Sequence, residues 1–373
     1  MKRSRQGHSK GKTVVVIGLG NIGGNHAEHL GRIPGVSHVK LFDPDVYESR
    51  NAGSQTMAAA DEGRPKVDVQ AERLRRTNPN LEVSAYRCRA EEAPLGWLRG
   101  DVILACVDSR EARRSINEAS WRLGVTWIDS GVDAAGWLAR VNVYVPGEST
   151  PCLECAWGDR DYENLEQRYA CRGGARRTVP TDAPSALGAL AASLQALECR
   201  KILEGRMADA AVGRQILIDA AHHRHYVTSF LRNPACRFDH ATWRIAPLRR
   251  TAGDMRLRDA FELGGRRLRT HGRTGVRVEG DVFIRRLTCQ GCGATRAVLH
   301  LQRRLPAGQA KCRACGRGMV TAGAFMVDTL AADQVPADDL KRPLAALGIQ
   351  PGDVLTLSAG DQSVHVEVGG DVK

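Results

Sequence analysis

The 373-residue sequence predicts an α/β fold with a doubly wound, mostly parallel sheet, and three observations support this fold class. Short apolar runs, such as TVVVI at residues 13–17 and DVILACV at residues 101–107, are typical of strands buried on both faces of a parallel sheet. These runs alternate with stretches of helical period, which is the βαβ order of such sheets. Glycines follow the first run at once, as expected where a strand turns into a helix.

A glycine-rich turn follows the first predicted strand. Its glycines are Gly18, Gly20 and Gly23. Glycines let backbone amides approach an anion closely, and the positive end of a helix beginning at Asn21 would favour negative charge. A second predicted strand, residues 38–42, ends at Asp43, where a carboxylate can accept hydrogen bonds from ribose hydroxyls. The order strand, glycines, helix, strand and acid predicts a nucleotide-binding unit.

The remaining elements follow from the same periodicities. Helices are expected at residues 64–76, 110–123 and 185–203. Strands are expected at residues 81–86, 101–107, 126–130, 140–145, 215–219 and 226–230, with 140–145 antiparallel, and short alternating strands at 354–359 and 364–369. From Pro151 to Pro184 the composition predicts a long loop, and loops of this length in compact domains are usually functional or mobile.

The eleven cysteines predict metal sites more than disulfides, because six of them fall in Cys-x-x-Cys pairs and a cytoplasmic chain keeps thiols reduced. Cys152 and Cys155 form the first pair, and Cys236 with His240 would complete a tetrahedral zinc site. A redox role for the first pair is the rival interpretation. The alternative ligands are His222, His223 and His225.

Two further pairs, separated by 19 residues, fit a zinc ribbon formed by Cys289, Cys292, Cys312 and Cys315. Such a ribbon would either provide a docking surface for a partner or stabilise the fold of a segment whose own hydrophobic core is small. We therefore expect three regions: a nucleotide-binding domain at 1–242 with the long loop at 156–184, a basic zinc-ribbon region at 243–330, and a small β segment at 331–373.

The formal net charge is +12, and arginines are dense between Arg244 and Arg317. Such a field could attract nucleic acid or an acidic protein, and composition does not choose between them. The basic N-terminus leads straight into the first strand and no long apolar run occurs, so we expect neither a signal peptide nor a membrane span. The expected location is the cytoplasm.

Phosphate chemistry is suggested by residues near the predicted sheet edge. In a nicotinamide enzyme or an ATP enzyme alike, Asp43 would hold a ribose. Asp45 and Asn51 lie in the loop that follows, and Lys66 and Asp108 add a cation and an acid suited to phosphate and magnesium. Adenylation of a carboxylate needs these residue types, because cations must offset the charge that develops as pyrophosphate leaves.

From Lys12 to about His240, the sequence resembles the ubiquitin-activating enzyme family and its bacterial ThiF-like adenylyltransferase relatives. The resemblance rests on GLGNIGG, on DPD followed by Asn51 and Gln55, on GRPK ending at Lys66, on Asn78-Pro79, on Asp108 with Arg113 and Asn117 in DSREARRSIN, on PCLEC and on LQALECRKILEG. It implies a Rossmann-like adenylation domain that binds ATP and Mg²⁺ and adenylates the C-terminal glycine of a ubiquitin-like or sulfur-carrier protein. In that chemistry Asp108 would hold magnesium and Lys66 would contact phosphates.

Cys171 is the candidate acceptor of the activated carrier, because the resemblance places a thioester-forming cysteine in this loop. It lies in RYACRGGARR, where neighbouring arginines favour the thiolate. Cys88, Cys106 and Cys199 lie in apolar contexts and are expected to be inert. The carrier would then pass to a conjugating enzyme. The alternatives are a sulfur-carrier adenylyltransferase with a sulfur donor and no thioester step, and a non-catalytic nucleotide-sensing zinc protein that binds nucleic acid.

One departure from the resembled pattern concerns charge. Ser54 stands where relatives usually carry an arginine just before Gln55. Arg50 or Arg64 could replace it, or Arg3 and Arg5 donated by a second copy of the chain. The resemblance and the need to replace this charge together imply a homodimer.

Overall fold

The computed structural model of the chain describes residues 11–170, 183–270 and 272–370. The chain divides into two compact units. The first comprises the residues up to Glu91 and Leu98–Thr242, and the second comprises Glu92–Trp97 and the residues from Trp243 onward. Each unit has its own hydrophobic core.

The first unit is built on one mixed sheet. Its strands are β1 (Lys12–Ile17), β2 (Val36–Phe42), β3 (Glu82–Tyr86), β4 (Val102–Ala105), β5 (Thr126–Asp133), β6 (Leu138–Tyr144), β7 (Arg214–Asp219) and β8 (Arg224–Ser229). Its α-helices, among the described residues, are α1 (His26–Leu30), α2 (Lys66–Thr77), α3 (Arg110–Leu123), α4 (Asp159–Ala170) and α5 (Ser185–Leu203). The spatial order is β3-β2-β1-β4-β5-β6-β7-β8, parallel from β3 to β5 and antiparallel from β5 to β8.

This architecture confirms the predicted α/β fold class and the antiparallel β6. The central strands are apolar without alternation because both of their faces are covered: Val14, Val15 and Val16 are fully buried, as is every residue of β4. The carboxyl ends of β2, β1 and β4 are neighbours in the sheet. The chain segments that leave these three strands therefore start at one edge, where ligands of open α/β sheets bind.

Two details of the prediction are wrong. The loop expected from Pro151 to Pro184 contains α4, since Asp159 and Asp161 in the first turn favour a helix start and Tyr162 and Leu165 bury one helical face. The helix expected from Asn21 begins only at His26, after a 3₁₀ turn at Gly23–Asn25. With five residues, α1 has too short a dipole to form an anion site by itself.

The second unit contains two smaller sheets and two α-helices among the described residues. Its strands are β9 (Ile245–Thr251), β10 (Gly275–Val278), β11 (Phe283–Cys289), β12 (Thr295–Leu301), β13 (Met319–Val320), β14 (Met326–Val327), β15 (Leu330–Ala331), β16 (Val354–Ala359) and β17 (Gln362–Gly369). Its helices are α6 (Leu257–Leu268) and α7 (Ala337–Leu340). One sheet has the order β15-β10-β16-β17-β9, and in the other β11 pairs with β12, β13 and β14.

The larger sheet of the second unit packs against α6 through a core that includes Phe261, Leu355 and Val366. The strands of this sheet come from both sides of residue 331, where the sequence analysis placed the boundary between the zinc-ribbon region and the small β segment. The smaller sheet carries the second pair of Cys-x-x-Cys motifs and has a small core of its own, around Ile284 and Leu287. None of the helices in the described ranges combines the length and the apolar character that crossing a bilayer requires.

Candidate functional site

The glycine turn after β1 is a close-packed backbone cradle. Gly18 has a φ of +85°, a conformation that residues with a side chain rarely adopt. A Cβ on Gly23 would lie 1.9 Å from the Gly18 carbonyl oxygen, so only glycine fits there. These two positions show that the turn needs glycines for its own shape, and the absence of side chains there leaves its backbone amides accessible to an anion.

Asp43, at the end of β2, fixes the shape of this turn. One carboxylate oxygen accepts a hydrogen bond from the Leu19 amide at 2.6 Å and the other accepts from the Asp45 amide at 2.8 Å. Burial raises the pKa of Asp43 above its ordinary value, and the nearby Lys66 ammonium opposes that shift. The carboxylate oxygens keep further lone pairs that could accept from a ribose.

Lys66 lies beside the same edge because two loops pair with each other. Val46 forms a β-bridge with Pro65, and the Lys66 amide donates to the Asp45 carbonyl at 3.0 Å. The Lys66 ammonium is 3.3 Å from Asp45 Oδ2, and its side chain is only 7% exposed while that of Asp45 is 60% exposed. A nearly buried cation is thus paired with a mostly exposed carboxylate. A phosphate could displace this carboxylate or bind the same cation beside it.

Gln55 contributes a buried polar group next to the turn. Its Nε2 atom would be 3.9 Å from a Cβ on Gly20, and its Oε1 atom is buried with no hydrogen-bond partner in the described part of the chain. A buried acceptor without a partner costs about 1–3 kcal/mol, so its position beside the turn suits a bound ligand. Asn51 has a structural role, since its side-chain oxygen accepts from the Glu48 amide at 2.9 Å.

The arginines that could replace the charge missing at Ser54 are already engaged. Arg50 pairs with Glu48, and Arg64 pairs with Glu72. Arg73, which the sequence interpretation did not consider, pairs with Asp61 at 2.8 Å and donates to the Thr56 carbonyl. It therefore holds the loop that carries Gln55. Arg3 and Arg5 lie outside the described residues.

Asp108 follows β4 and is exposed. No hydrogen bond or ion pair to its carboxylate occurs within the described ranges. Arg113 fixes the backbone beside it: one guanidinium nitrogen donates to the Val107 carbonyl at 2.6 Å, and another donates to the buried Asp129 at 2.8 Å. The backbone that carries this exposed carboxylate is therefore fixed in position, as suits a ligand for a cation.

Behind this edge lies a buried polar network centred on Gln195 of α5, which sequence reasoning quoted within a motif but did not interpret. The Gln195 amide nitrogen donates to the Ile128 carbonyl at 2.7 Å. Its oxygen is 2.8 Å from His26 Nε2, 3.0 Å from Ser130 Oγ and 3.2 Å from Cys106 Sγ. Burial lowers the pKa of His26 to about 4, so it is neutral at pH 7, and raises the pKa of Cys106 to about 12. A glutamine among the small and apolar residues in the middle of α5 was the signal for this network.

The start of α5 is also tied to the glycine turn. Asn21 donates its side-chain N–H to the Ala183 carbonyl at 2.8 Å. A Cβ on Gly188 would lie 1.6 Å from Asn21 Oδ1, so the helix approaches the turn closely only because residue 188 is glycine. Ala183, the first described residue after Cys171, therefore lies next to the turn. Cys171 itself lies outside the described residues.

The first predicted metal cluster is assembled as expected. The sulfur atoms of Cys152 and Cys236 are 3.8 Å apart, and Cys155 Sγ is 3.3 Å from His240 Nε2. The four ligand atoms lie within 4.8 Å of one another, close enough for one tetrahedral zinc ion, whose ligand atoms are expected about 3.8 Å apart, to bind all four. In the described residues this group does not include the alternative histidines at 222, 223 and 225.

Helix α3 supports this cluster. Asn117 is fully buried, and its oxygen accepts from the Leu153 amide at 3.1 Å, which holds the loop between the two cysteines. The ring of Trp121 stands edge-on to that of His240 at 4.8 Å. His240 has a φ of +55°, which is uncommon for a residue with a side chain, and the Trp121 ring packs against its imidazole.

The ribbon cluster brings together Cys289, Cys292, Cys312 and Cys315, again within 4.8 Å. Each Cys-x-x-Cys pair is followed by a glycine of positive φ, Gly293 at +73° and Gly316 at +70°. Backbone amides of Cys292 and Gly291 lower the pKa of Cys289 to about 6. A thiolate is the form that binds zinc, so both the geometry and the amide donors suit a metal.

We expect two zinc ions per chain, measured by elemental analysis of the purified protein. Cys236→Ala should lower the count to one and Cys292→Ala likewise, because a closed site needs all four ligands. Cys199→Ala is the matched control: this thiol is buried in the core away from both clusters, and its variant should keep two ions. A wild-type count of one that Cys236→Ala leaves unchanged would show that the first cluster binds no metal.

Comparison with known proteins adds three findings. Residues 2–238 match the family described as the ThiF family. The chain is 30% identical over 239 residues to "Ubiquitin-like modifier-activating enzyme 5" of Bombyx mori, covering 60% of this chain and 58% of the relative. It is 27% identical over 223 residues to the protein of the same name from Dictyostelium discoideum, covering 56% and 57%. The chain thus spans less than three fifths of the length of these relatives.

Among solved structures, the chain resembles E. coli MccB, determined with succinimide, at a TM-score of 0.50 and 21% identity. The match covers 61% of this chain and 66% of that one. A second structure, the microcin C7 biosynthetic enzyme MccB in complex with N-formylated MccA, gives a TM-score of 0.50 at 20% identity, covering 61% and 67%. At these identities the likeness establishes the fold alone.

Proposed function

The chain belongs to the ThiF family, and on that premise we propose that it activates the C-terminal glycine of a ubiquitin-like or sulfur-carrier protein by ATP-dependent adenylation. The observation that carries the proposal is the group of polar residues on neighbouring strand ends. The glycine turn follows β1, Asp43 follows β2 with Lys66 beside it, and Asp108 follows β4. The names of the relatives agree with this activity.

In this proposal the protein's residues bind and orient ATP. Backbone amides of the glycine turn, from Gly18 to Gly23, approach the phosphates, and Asp43 and Gln55 hold the nucleoside side of the ligand. Lys66 supplies positive charge for the phosphates, since its ammonium is nearly buried against a single exposed carboxylate. A positioned cation of this kind counts most when charge develops as pyrophosphate leaves.

Magnesium fits the same edge through Asp108 and Asp45, because hard oxygen ligands are what this ion prefers. When bound, the ion would neutralise part of the phosphate charge. Arg113 would keep the Asp108 backbone in register through its bond to the Val107 carbonyl.

The charge missing at Ser54 leads to a second proposal, a homodimer in which Arg3 or Arg5 of one copy serves the site of the other. Its support is that Arg50 and Arg64 are both paired with nearby glutamates. A monomer in sedimentation that retains full pyrophosphate exchange would exclude it. After adenylation, we propose that the Cys171 thiol attacks the glycine carbonyl of the carrier adenylate, forming a thioester as the acyl–phosphate bond breaks and AMP leaves. A thiol of a conjugating enzyme would then take the carrier and free Cys171.

We expect the protein to bind ATP with magnesium in preference to NAD, as measured by calorimetric titration with each ligand. Lys66→Met should weaken ATP binding about tenfold or more, roughly 1.4 kcal/mol, through loss of a phosphate contact. Lys12→Met is the matched control, because Lys12 lies at the opposite end of β1 and pairs with Asp101. Tight NAD binding without ATP binding would end the adenylation proposal.

A further inference from the structure

The net positive charge of the chain after Thr242 comes from one segment. Residues 283–327, here called the basic ribbon, contain eight arginines and lysines and no aspartate or glutamate. The rest of the chain after Thr242 contains thirteen basic and thirteen acidic residues and is therefore neutral. Such a distribution differs from a generally basic surface, in which both signs are interspersed, and it marks the ribbon as the source of the field.

Some of these basic residues form ion pairs or hydrogen bonds within the fold. Arg304 pairs with the buried Asp353 at 2.9 Å, while Arg285 and Arg296 donate to backbone carbonyls. The others include four exposed side chains with no ion pair among the described residues. These are Arg286, Lys311, Arg313 and Arg317.

Three of these four belong to the second cysteine motif. Lys311, Arg313 and Arg317 lie within seven residues around Cys312 and Cys315. Arg317 also covers the first motif, since a Cβ on Gly291 would be 2.3 Å from its Cδ. The fourth, Arg286 on β11, lies over the ring of Phe325 with its guanidinium 4.3 Å from the ring centroid. Three of the four unpaired charges therefore lie on backbone that the ribbon cluster holds together, and the fourth is positioned by a ring contact.

We propose that the basic ribbon binds nucleic acid through its phosphodiester backbone. Three of the four free cations are arginines, whose planar guanidinium donates to phosphate through two parallel N–H bonds. In the ribbon, Val320, at 44%, is the one exposed large hydrophobic residue within the described ranges. A protein partner would need buried apolar or aromatic anchors at the centre of its interface, whereas nucleic-acid interfaces are polar and positively charged.

The test is fluorescence anisotropy of the full zinc-loaded chain with a labelled 30-nucleotide single strand and with the matching duplex, across a range of salt concentrations. We expect binding that weakens steeply with salt. The triple variant Lys311→Ala/Arg313→Ala/Arg317→Ala should lose roughly 10- to 100-fold in affinity at 0.1 M salt, and its slope of log affinity against log salt should fall by about 2 to 3.

The matched control removes three charges from α6 of the same unit, as Arg258→Ala/Arg266→Ala/Arg267→Ala. This variant should bind within about threefold of the wild type, and both triple variants should retain two zinc ions. Equal losses in the two variants would mean that net charge alone causes binding and would overturn the proposal. So would an absence of binding at 50 mM salt, or displacement by poly-glutamate as effective as displacement by unlabelled nucleic acid, which would indicate an acidic protein partner.

Discussion

Asp108→Ala is expected to lower ATP–pyrophosphate exchange by about 100-fold or more while leaving the fold intact. The loss follows if Asp108 holds the cation that acts on transition-state charge, since such groups contribute about 3 kcal/mol or more. Stability should change by less than about 0.5 kcal/mol, because the carboxylate is exposed and has no partner in the described part of the chain. The substrate for the assay is a small carrier protein ending in glycine, to be sought first among the proteins encoded beside this one.

The matched control for this experiment is Asp101→Ala. Asp101 immediately precedes β4, at the strand end opposite to Asp108, and pairs with Lys12 at 2.9 Å. Its removal should cost some stability and leave the exchange rate within about twofold of the wild type. An Asp108→Ala enzyme with an unchanged rate would refute the magnesium assignment, and equal losses in both variants would indicate a general effect on the fold.

Cys171→Ala is expected to abolish a covalent enzyme–carrier species while sparing pyrophosphate exchange. If Cys171 is the acceptor, ATP, magnesium and the carrier should give a species larger by one carrier and sensitive to thiol reductant. The adenylate forms at the glycine turn and does not need the thiol, so exchange should persist. Denaturing electrophoresis with and without reductant measures the adduct.

The described cysteines provide the controls for Cys171. Cys88→Ala should form the adduct normally, and Cys106 is a poor acceptor because burial raises its pKa to about 12. An adduct that survives in Cys171→Ala would assign the acceptor role to another cysteine. A wild-type enzyme that releases carrier adenylate and never forms the adduct would favour sulfur-carrier activation without a thioester.

The adenylation and nucleic-acid proposals can be tested separately, because they concern residues of different units. The free cations of the basic ribbon belong to the second unit, whereas Asp108 and Lys66 belong to the first. A ribbon variant that loses nucleic-acid binding should therefore retain exchange activity, and Asp108→Ala should retain nucleic-acid binding. Each proposal can thus fail without the other.

Patterns that depend on neighbours along the chain were predicted correctly. Helices α3 and α5 occur at the predicted residues, Arg110–Leu123 and Ser185–Leu203. The ribbon cysteines were identified by their spacing alone, because two Cys-x-x-Cys pairs at that distance have few other uses. Helix α4 was missed because its sequence is mostly polar, which is typical of a loop. Its helical face is defined by Tyr162 and Leu165, which are buried only in the folded structure.

The sequence by itself determined the α/β fold class, the glycine turn and the ligand pairs, because each depends on residue types a few positions apart. Only the tertiary structure decided which distant groups meet. It brings Cys152 to Cys236 and places Gln195 between His26 and Ser130. Those contacts depend on how the sheet and its helices pack. Hydrophobic burial drives that packing and is non-directional. It therefore leaves no local sequence pattern that would identify polar partners far apart in the chain.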